Sequence, residues 1–466
     1  MIPAPSQRGR GGIVAQYVPH TDDEIAKMLE EIGVKDIEEL YQDVPDHLRC
    51  EKLDLPEGLD ELSLKRHFFN LARKNHPLEE YMVFRGAGVY NHYVPEVVKQ
   101  LSMRSGFLTA YTPYQAEVSQ GTLQVMFEFQ TMVCELTGMD VANSSMYDGA
   151  SAVAEAVLMA SRLTDRYRAL AASSIHPEYL QVVQTYTSGV GINVEMVAYD
   201  KESGRVDIRT LREKIDTGEK PSCLVVGYPN FFGVIEDLML VREVLPKDVM
   251  MVVVVNPLAL ALLEPPGSFG ADIVVGDGQP LGIPPRLGGP SFGIFATRER
   301  YVRQMPGRIA GMTQDLEGKR GFVMVLQTRE QHIRRHRATS NICSNHTQAA
   351  LMATIYMSLM GKSGLREVAR QCYAKAHYLA EKVDRVEGIN RRFSGPFFNE
   401  FVASVDVNPA HLDEYLKAHK ILGPLPLSRY YPELVDSVLF CTTELNTVDE
   451  ITFLVGRLEA VRNADL

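Results

Sequence analysis

Apolar residues recur along this chain with two different periods, and the change of period divides it into three regions. Over residues 1–80 the spacing is helical, as in the segment that Thr21 and Glu24 cap and Gly33 ends. Over residues 81–325 helical segments alternate with short runs of valine and isoleucine, which predicts βαβ units. Residues 326–466 combine long helices with two strands. We therefore predict a helical arm, a large α/β domain and a small C-terminal α+β domain.

The individual elements follow from the same pattern. In the central region the predicted strands are residues 180–183, 224–226, 249–255 and 273–275. The predicted helices are residues 36–42, 63–74, 121–137, 152–159, 347–360 and 365–386. Two further strands are predicted at residues 399–407 and 437–443, before a helix that Thr447 and Glu450 cap. The alternation in the centre indicates a mainly parallel sheet with helices on both faces.

Polar residues follow two of the buried strands. Asn256 follows the run 249–255, and Gln279 follows the run that begins at Ala271. In enzymes that use pyridoxal phosphate, one such strand end commonly carries an acidic residue that pairs with the pyridine nitrogen. The other commonly carries the lysine that forms the Schiff base. A neutral Asn cannot pair with a pyridinium as a carboxylate does, and a Gln amide cannot form an imine. The residues indicate a chain that keeps such a fold and lacks its chemistry.

Two other segments are candidates for binding. Residues 144–151 lead into a helix, where small residues with free N–H groups form a phosphate cradle in many folds, although Asp148 and Ser151 are equally suited to cap the helix. Residues 111–120 hold the densest cluster of polar and aromatic side chains, preceded by residues 86–95. Their surplus of hydrogen-bond donors suits a ligand or another chain, and a structured turn is the alternative.

Composition excludes several classes of protein. The net charge of -11 is spread along the chain, which argues against a nucleic-acid groove. The longest apolar run, residues 249–263, is interrupted by Asn256 and Pro257 and is too short to span a membrane. The N-terminal residues lack an apolar segment, so a cytoplasmic location is expected. The six cysteines show no CxxC spacing and the histidines no HExxH pair, which argues against a metal site and against a disulfide framework.

Five stretches together resemble the P-protein family of the glycine cleavage system. They are residues 18–21 taken together with 28–33, and residues 111–121, 141–149, 276–279 and 337–343. The first reads Val-Pro-His-Thr, the fourth Gly-Asp-Gly-Gln, and the last Arg-Ala-Thr-Ser-Asn-Ile-Cys. The resemblance runs from about Val18 to the C-terminal helix.

The resemblance implies a pyridoxal phosphate-dependent transferase fold of the aspartate-aminotransferase type. It also implies an α2β2 assembly in which this chain is the α subunit and only the β subunit binds pyridoxal phosphate through a lysine. Gln279 then stands at the position of that lysine, and the chain completes its partner's active site. The implied reaction is decarboxylation of glycine, with transfer of the aminomethyl group to the lipoyl arm of the H-protein.

The same resemblance assigns the candidate site residues. The residues expected to reach the partner's active site are Tyr90, His92, Tyr111, Thr112, Tyr114, Gln115, Glu117, Ser119 and Gln120. The residues expected in a vestigial cofactor pocket are Asp148, Gly149, Asn256 and Gln279. Two alternatives stay open. One is a self-sufficient pyridoxal phosphate enzyme that uses Lys319, the first lysine after Gln279, although it lies in a turn-like segment. The other is a subunit that serves only as a scaffold.

Overall fold

A computed structural model describes residues 20–50, 54, 56, 58–286 and 289–461. Val18 and Pro19 of the first family-like stretch lie outside the described residues. The chain divides into two compact units, Met1–Pro77 and Leu78–Leu466. The domain boundaries that the sequence suggests near residues 80 and 325 stay predictions.

The first unit is helical and lacks a buried core among its described residues. It contains helix α1 (Asp22–Ile32), a 3-10 turn (Ile37–Tyr41) and helix α2 (Glu61–Ala72). Thr21 caps α1 because its hydroxyl accepts from Glu24 N, and Glu24 Oε2 accepts from Thr21 N at 2.7 Å. These elements confirm the helices predicted for this region. Its large apolar side chains, such as Phe68 and Phe69, remain exposed.

The second unit carries the sheets. Its strands are β1 (Met82–Val83), β2 (Val141–Ala142), β3 (Arg168–Ala172), β4 (Asn193–Val197), β5 (Cys223–Tyr228), β6 (Met250–Val255), β7 (Ile273–Asp277), β8 (Gly293–Thr297), β9 (Ile309–Gln314), β10 (Arg320–Val325), β11 (Ile389–Arg391), β12 (Glu400–Val405), β13 (Ile421–Leu422), β14 (Leu425–Pro426) and β15 (Ser437–Cys441). Its helices are α3 (Glu96–Ser102), α4 (Ser105–Leu108), α5 (Gln120–Thr137), α6 (Gly149–Thr164), α7 (Pro177–Ser188), α8 (Ile208–Asp216), α9 (Leu238–Val244), α10 (Gln331–Arg334), α11 (Thr347–Val383), α12 (Pro409–Ala418) and α13 (Val448–Val461).

The largest sheet has the strand order β2-β8-β7-β6-β5-β3-β4. Strands β4, β3, β5, β6 and β7 pair in parallel, and β8 and β2 join antiparallel at one edge. Every residue of β5 and β6 is buried, because helices cover both faces of the sheet. The mainly parallel sheet predicted from the valine-rich runs is confirmed.

One predicted strand is wrong. Residues 180–183 lie inside helix α7, not in a strand. His176 caps this helix by accepting from Glu178 N, and Pro177 occupies its first position, where proline lacks only an N–H that the helix does not use. The strand of this region is β3, whose sequence Arg-Ala-Leu-Ala-Ala has helical propensity. Burial in the middle of the sheet outweighs that propensity.

The C-terminal part follows the prediction more closely. Helix α11 bends at Gly361, where φ is 59°, and so comprises the two helices that the sequence suggests. Strands β11, β12, β15 and β14 form an antiparallel sheet that contains both predicted strands. Thr447 N donates to Glu450 Oε2 at the start of α13, as the capping pattern predicts. Among the described residues, no helix is long and apolar enough to cross a membrane.

Candidate functional site

Two strand ends meet at the carboxyl edge of the large sheet. Val255 of β6 pairs with Gly276 of β7, so Asn256 and Gln279 follow neighbouring strands at the same edge. In open α/β sheets this edge is the usual place for a ligand. The Asn256 Oδ1 accepts from Leu258 N at 3.1 Å, whereas its buried Nδ2 has no hydrogen-bond partner within the described residues.

Gln279 uses its whole carboxamide within the chain. The side chain is 3% exposed. Its Nε2 donates to Tyr90 O at 2.9 Å and to Ile283 O at 2.6 Å, and its Oε1 accepts from Tyr90 N at 2.9 Å. Both backbone groups of Tyr90 are therefore held by one side chain, and Gln279 acts as a clamp on the segment that carries Tyr90.

The Tyr90 side chain is held from the other end by Glu400 of β12. The Tyr90 hydroxyl donates to Glu400 Oε2 at 2.7 Å, and Ala87 N donates to Oε1 at 2.6 Å. Burial raises the pKa of Glu400 to about 7 and raises the pKa of Tyr90 as well. No local pattern could indicate Glu400, because it lies 310 positions from Tyr90.

A small cavity of about 70 Å³ lies at these strand ends. Its lining includes Gly88, Tyr90, His176, Tyr179, Asn256, Asp277 and Glu400. The rings of His176 and Tyr179 are stacked, with their centroids 4.6 Å apart, and burial lowers the pKa of His176. We call this space the strand-end cavity.

The start of α6 borders the same region, and two N–H groups of its first turn are bound by carboxylates of this chain. Asp148 Oδ1 accepts from Ser151 N at 2.7 Å and so caps the helix. Asp277 Oδ2 accepts from Gly149 N at 3.0 Å. The sequence is compatible with either a phosphate cradle or a helix cap at residues 144–151. These contacts support the helix cap.

Pyridoxal phosphate, which the fold family implies, does not fit the strand-end cavity. Gln279 offers no amine for the aldehyde. The carboxylates of Asp148 and Asp277 occupy the helix start where a phosphate would sit, and they would repel it. The cavity volume is also far below the ~300 Å³ at which ligand pockets of drug size begin.

Residues 111–120 form a second candidate region, and most of them are exposed. The exposed fraction is 78% for Tyr111 and 45% for Tyr114, and Gln115 and Glu117 are exposed too. Thr112 and Ser119 are half-buried. Gln120 differs from these residues because its side chain is hydrogen-bonded to the backbone of β10. Its Nε2 donates to Phe322 O at 2.8 Å, and its Oε1 accepts from Phe322 N at 2.8 Å. Its amide fastens this segment to β10.

Arg308 holds Tyr114 and was missed by the sequence analysis. It is 5% exposed. Its Nη2 donates to the Tyr114 hydroxyl at 3.3 Å and to Cys343 O at 2.7 Å, and the guanidinium lies over the Tyr114 ring. Its Nε lies 3.5 Å from Glu330 Oε2, a buried ion pair. Arg308 and Tyr114 are 194 positions apart, so no local pattern could have linked them.

A cavity of about 310 Å³ opens beside this segment. Its lining includes Tyr111, Thr112, Arg286, Arg308, Asn345 and His346. Two arginines and several hydrogen-bonding side chains suit a small anion such as a carboxylate. We call it the arginine cavity.

Tyr90 and His92, which were expected to reach a partner's active site, are buried. Tyr90 lines the strand-end cavity. His92 Nδ1 lies 2.7 Å from Glu444 Oε2, and both side chains are buried. Their assignment to a partner's active site stays a prediction.

Comparison with known proteins agrees with the resemblance seen in the sequence. The family model of the glycine cleavage system P-protein matches residues 15–458. A protein of Thermotoga petrophila named probable glycine dehydrogenase (decarboxylating) subunit 1 is 55% identical over 446 residues, which cover 96% of this chain and 99% of that protein. A protein of the same name from Desulfitobacterium hafniense is 49% identical over 448 residues, covering 96% of this chain and all of that protein.

Solved structures that resemble this chain agree with these sequence comparisons. The crystal structure of a glycine decarboxylase (P-protein) in inhibitor-bound form is similar with a TM-score of 0.87 and 41% identity, over 96% of this chain and 99% of that chain. A sphingosine-1-phosphate lyase of Burkholderia pseudomallei shares the fold, with a TM-score of 0.65 and 14% identity over 91% of this chain and 94% of that one. The fold is thus the pyridoxal phosphate-dependent transferase type. The chain belongs to the glycine cleavage system P-protein family, among the glycine dehydrogenase (decarboxylating) subunits.

Proposed function

We propose that this chain is the lysine-free subunit of a glycine-decarboxylating P-protein, and that it completes the active site of a lysine-bearing partner subunit. The observation that carries the proposal is Gln279. A buried carboxamide with three hydrogen bonds occupies the strand end at which the cofactor lysine of this fold would stand. The chain cannot form the imine on which glycine decarboxylation depends.

The complete reaction removes carbon dioxide from glycine and passes the aminomethyl group to the lipoyl arm of an H-protein. Pyridoxal phosphate, held by the partner's lysine, supplies the electron sink for this chemistry. An α2β2 assembly would contain two such partners. The role of this chain is to bind and orient the reactants, which is the contribution that positioned hydrogen bonds make to catalysis.

The region that fits this role is the arginine cavity with the exposed part of residues 111–120. Arg286 and Arg308 offer positive charge to the carboxylate of glycine. Tyr111 and Thr112 line the same cavity and offer hydroxyl groups. Tyr114 is fixed by Arg308 and exposes part of its ring.

Exposed apolar side chains lie on or next to α3 and α4 and within residues 111–120. Val97, Leu101, Met103, Leu108 and Val118 are all more than a third exposed. The end of α3 is linked to the arginine cavity, because Ser102 O accepts from Gln348 Nε2 and Gln348 lines that cavity. Exposed apolar residues that form one patch are typical of an interface. Obligate interfaces commonly bury upwards of ~2,000 Å², so we infer that the partner covers this surface and brings its cofactor to the arginine cavity.

The test is to assay the chain alone, its lysine-bearing partner alone, and the two coexpressed. The assay follows exchange of carbon dioxide with glycine in the presence of lipoylated H-protein. We expect activity only from the coexpressed subunits. Turnover by the isolated chain would overturn the proposal.

A spectrum separates this proposal from a self-sufficient enzyme. Lys319 is exposed at the turn between β9 and β10 and pairs with Glu317 at 2.6 Å, away from any strand end of the large sheet. We therefore expect no imine band near ~420 nm when pyridoxal phosphate is added to the isolated chain. A band that disappears in Lys319→Met would favour the self-sufficient enzyme.

A further inference from the structure

Three segments that are distant in sequence bring a histidine, a cysteine and a glutamate together in the interior. His92 lies in the loop before α3, Cys372 lies on α11, and Glu444 lies between β15 and α13. His92 and Glu444 are 352 positions apart, and Cys372 and Glu444 are 72 apart. No metal-binding spacing in the sequence could reveal such a group. Among the described residues, this is the one group of three such ligands whose donor atoms lie within 4.8 Å of one another.

Two of the three distances between the donor atoms can be compared with those of a tetrahedral zinc site, and the third, from His92 Nδ1 to Cys372 Sγ, is within 4.8 Å. His92 Nδ1 lies 2.7 Å from Glu444 Oε2, and Cys372 Sγ lies 3.5 Å from the same oxygen. Zinc binds sulfur at about 2.3 Å and nitrogen or oxygen at about 2.0 Å, so tetrahedral angles place neighbouring ligand atoms about 3.3–3.5 Å apart. The sulfur and oxygen are already at that separation. The nitrogen and oxygen need to move apart by about 0.6 Å to admit the ion.

Glu444 is held in place from its other side. Its Oε1 accepts from Tyr93 N at 2.6 Å, and Lys375 Nζ donates to its backbone oxygen. These contacts leave Oε2 facing the imidazole and the thiol. Supporting hydrogen bonds of this kind orient the ligands of metal sites.

The hydrogen bonds within the chain leave this group incomplete. The His92 side chain is 2% exposed, yet its Nε2 has no hydrogen-bond partner within the described residues. The hydroxyl of Tyr356, which lies on α11 with Cys372, is also buried and has no hydrogen-bond partner among the described residues. Buried polar atoms are rarely left unpaired, so an ordered water is expected beside each of these two atoms, next to the three donor atoms.

We propose that His92 Nδ1, Cys372 Sγ and Glu444 Oε2 bind one Zn²⁺, with a water as the fourth ligand. Mixed nitrogen, sulfur and oxygen donors select zinc over magnesium or calcium, which prefer oxygen alone. On binding, the Cys372 thiol loses its proton to solvent and the imidazole proton resides on Nε2. The thiolate and the carboxylate together balance the charge of the ion. The zinc joins the segment that carries Tyr90 to α11 and to the loop before α13.

The experiment is metal analysis of the full-length chain. The purified protein is dialysed against a small excess of zinc, freed of loose metal, and measured by mass spectrometry. We expect about one zinc per chain, because three protein ligands plus water complete a tetrahedron. Cobalt added to the metal-free protein should give a thiolate-to-cobalt charge-transfer band in the near ultraviolet.

Two variants make the result decisive. Cys372→Ser removes the sulfur ligand and should lower the zinc content at least ~10-fold and abolish the cobalt band, as expected when one of three protein ligands is lost. Cys134→Ser, a half-buried cysteine outside the group, should keep both. If Cys372→Ser does not fold by circular dichroism, Glu444→Gln serves instead, with loss of zinc expected. Wild-type protein that holds no more zinc than these variants would overturn the proposal.

Discussion

The strand-end cavity and the arginine cavity are built in opposite ways. The first is closed from within: Gln279 and Glu400 both bind Tyr90, and Asp277 occupies the start of α6. The second is open, with Tyr111 largely exposed and two arginines on its lining. A side chain whose polar atoms are all paired stabilises the fold, whereas an exposed donor is available to a reactant or to another chain. The strand-end cavity is therefore lined by side chains that bind one another, whereas the arginine cavity keeps exposed hydrogen-bonding groups.

Arg308 is buried and also lines the arginine cavity. Its substitution should therefore lower both stability and activity, and it should have the largest effect of the variants considered. Arg308→Met leaves Glu330 buried without its cationic partner, which costs about 3–5 kcal/mol in the free energy of unfolding. It also releases Tyr114, so the coexpressed enzyme should lose activity. Urea unfolding and carbon dioxide exchange measure the two effects. Arg286→Met is the matched control, because Arg286 is exposed and should affect activity without affecting stability; equal loss of stability in both variants would contradict this account.

Substitution of Gln279 should lower the free energy of unfolding without acting directly on activity. Gln279→Met keeps the size of the side chain and leaves two backbone groups without the partner that Gln279 supplies, Tyr90 N–H and Ile283 C=O, whereas Tyr90 C=O still accepts from His92 N. At about 1–3 kcal/mol for each unpaired group, we expect a loss of about 4 kcal/mol in the free energy of unfolding. Gln115→Met, a change at an exposed glutamine of the open segment, should stay within about 0.5 kcal/mol of the unchanged protein. If the two variants unfold at the same urea concentration, the strand-end cavity is not closed as described.

Glu400 should make stability depend on pH. Its pKa is about 7 in the folded chain against an ordinary value of 4.5, so the folded state holds the proton more tightly than the unfolded state. The free energy of unfolding therefore falls as pH rises from about 4.5 to about 7, by about 3 kcal/mol for this group. Glu236, whose pKa burial also raises to about 7, adds a change of the same sign.

The variant Glu400→Gln isolates this contribution. A glutamine stays neutral, so the pH-dependent loss of stability should shrink and only the share of Glu236 and of other groups should remain. Urea unfolding at about pH 5 and about pH 8 measures the difference. An unchanged pH profile in Glu400→Gln would show that the carboxyl ionises in the folded chain as it does in the unfolded one.

Substitution of Tyr114 should have the smallest effect of these variants, and that effect should be a loss of activity. Tyr114→Phe removes the hydroxyl that accepts from Arg308 and keeps the ring. Loss of one positioning hydrogen bond of about 1 kcal/mol predicts a roughly 5- to 10-fold fall in the rate of the coexpressed enzyme. Tyr93→Phe, at an exposed tyrosine outside residues 111–120, is the control. Full activity in Tyr114→Phe would favour the view that the subunit is only a scaffold.

Local periodicity was sufficient to predict several elements of this protein. Runs of valine can be buried on both faces only in a central strand, so β5, β6 and β7 were found at the right places. Caps are equally local, as at Thr21 and Thr447. The two polar residues at the strand ends, Asn256 and Gln279, were identified for the same reason. The strand assigned to residues 180–183 failed because valines and leucines also suit the buried face of a helix such as α7.

The contacts between distant side chains could not be predicted from local patterns, because they depend on how the elements pack. Gln279 proved to be a clamp because the loop that carries Tyr90 returns to it, and Glu400 arrives from a strand of another sheet. Arg308 reaches Tyr114 in the same way, across 194 positions. Hydrogen bonds and ion pairs act over a few ångströms of space and carry no fixed spacing along the chain. The pairing of such groups, and with it the difference between a closed site and an open one, follows from the packing of the elements.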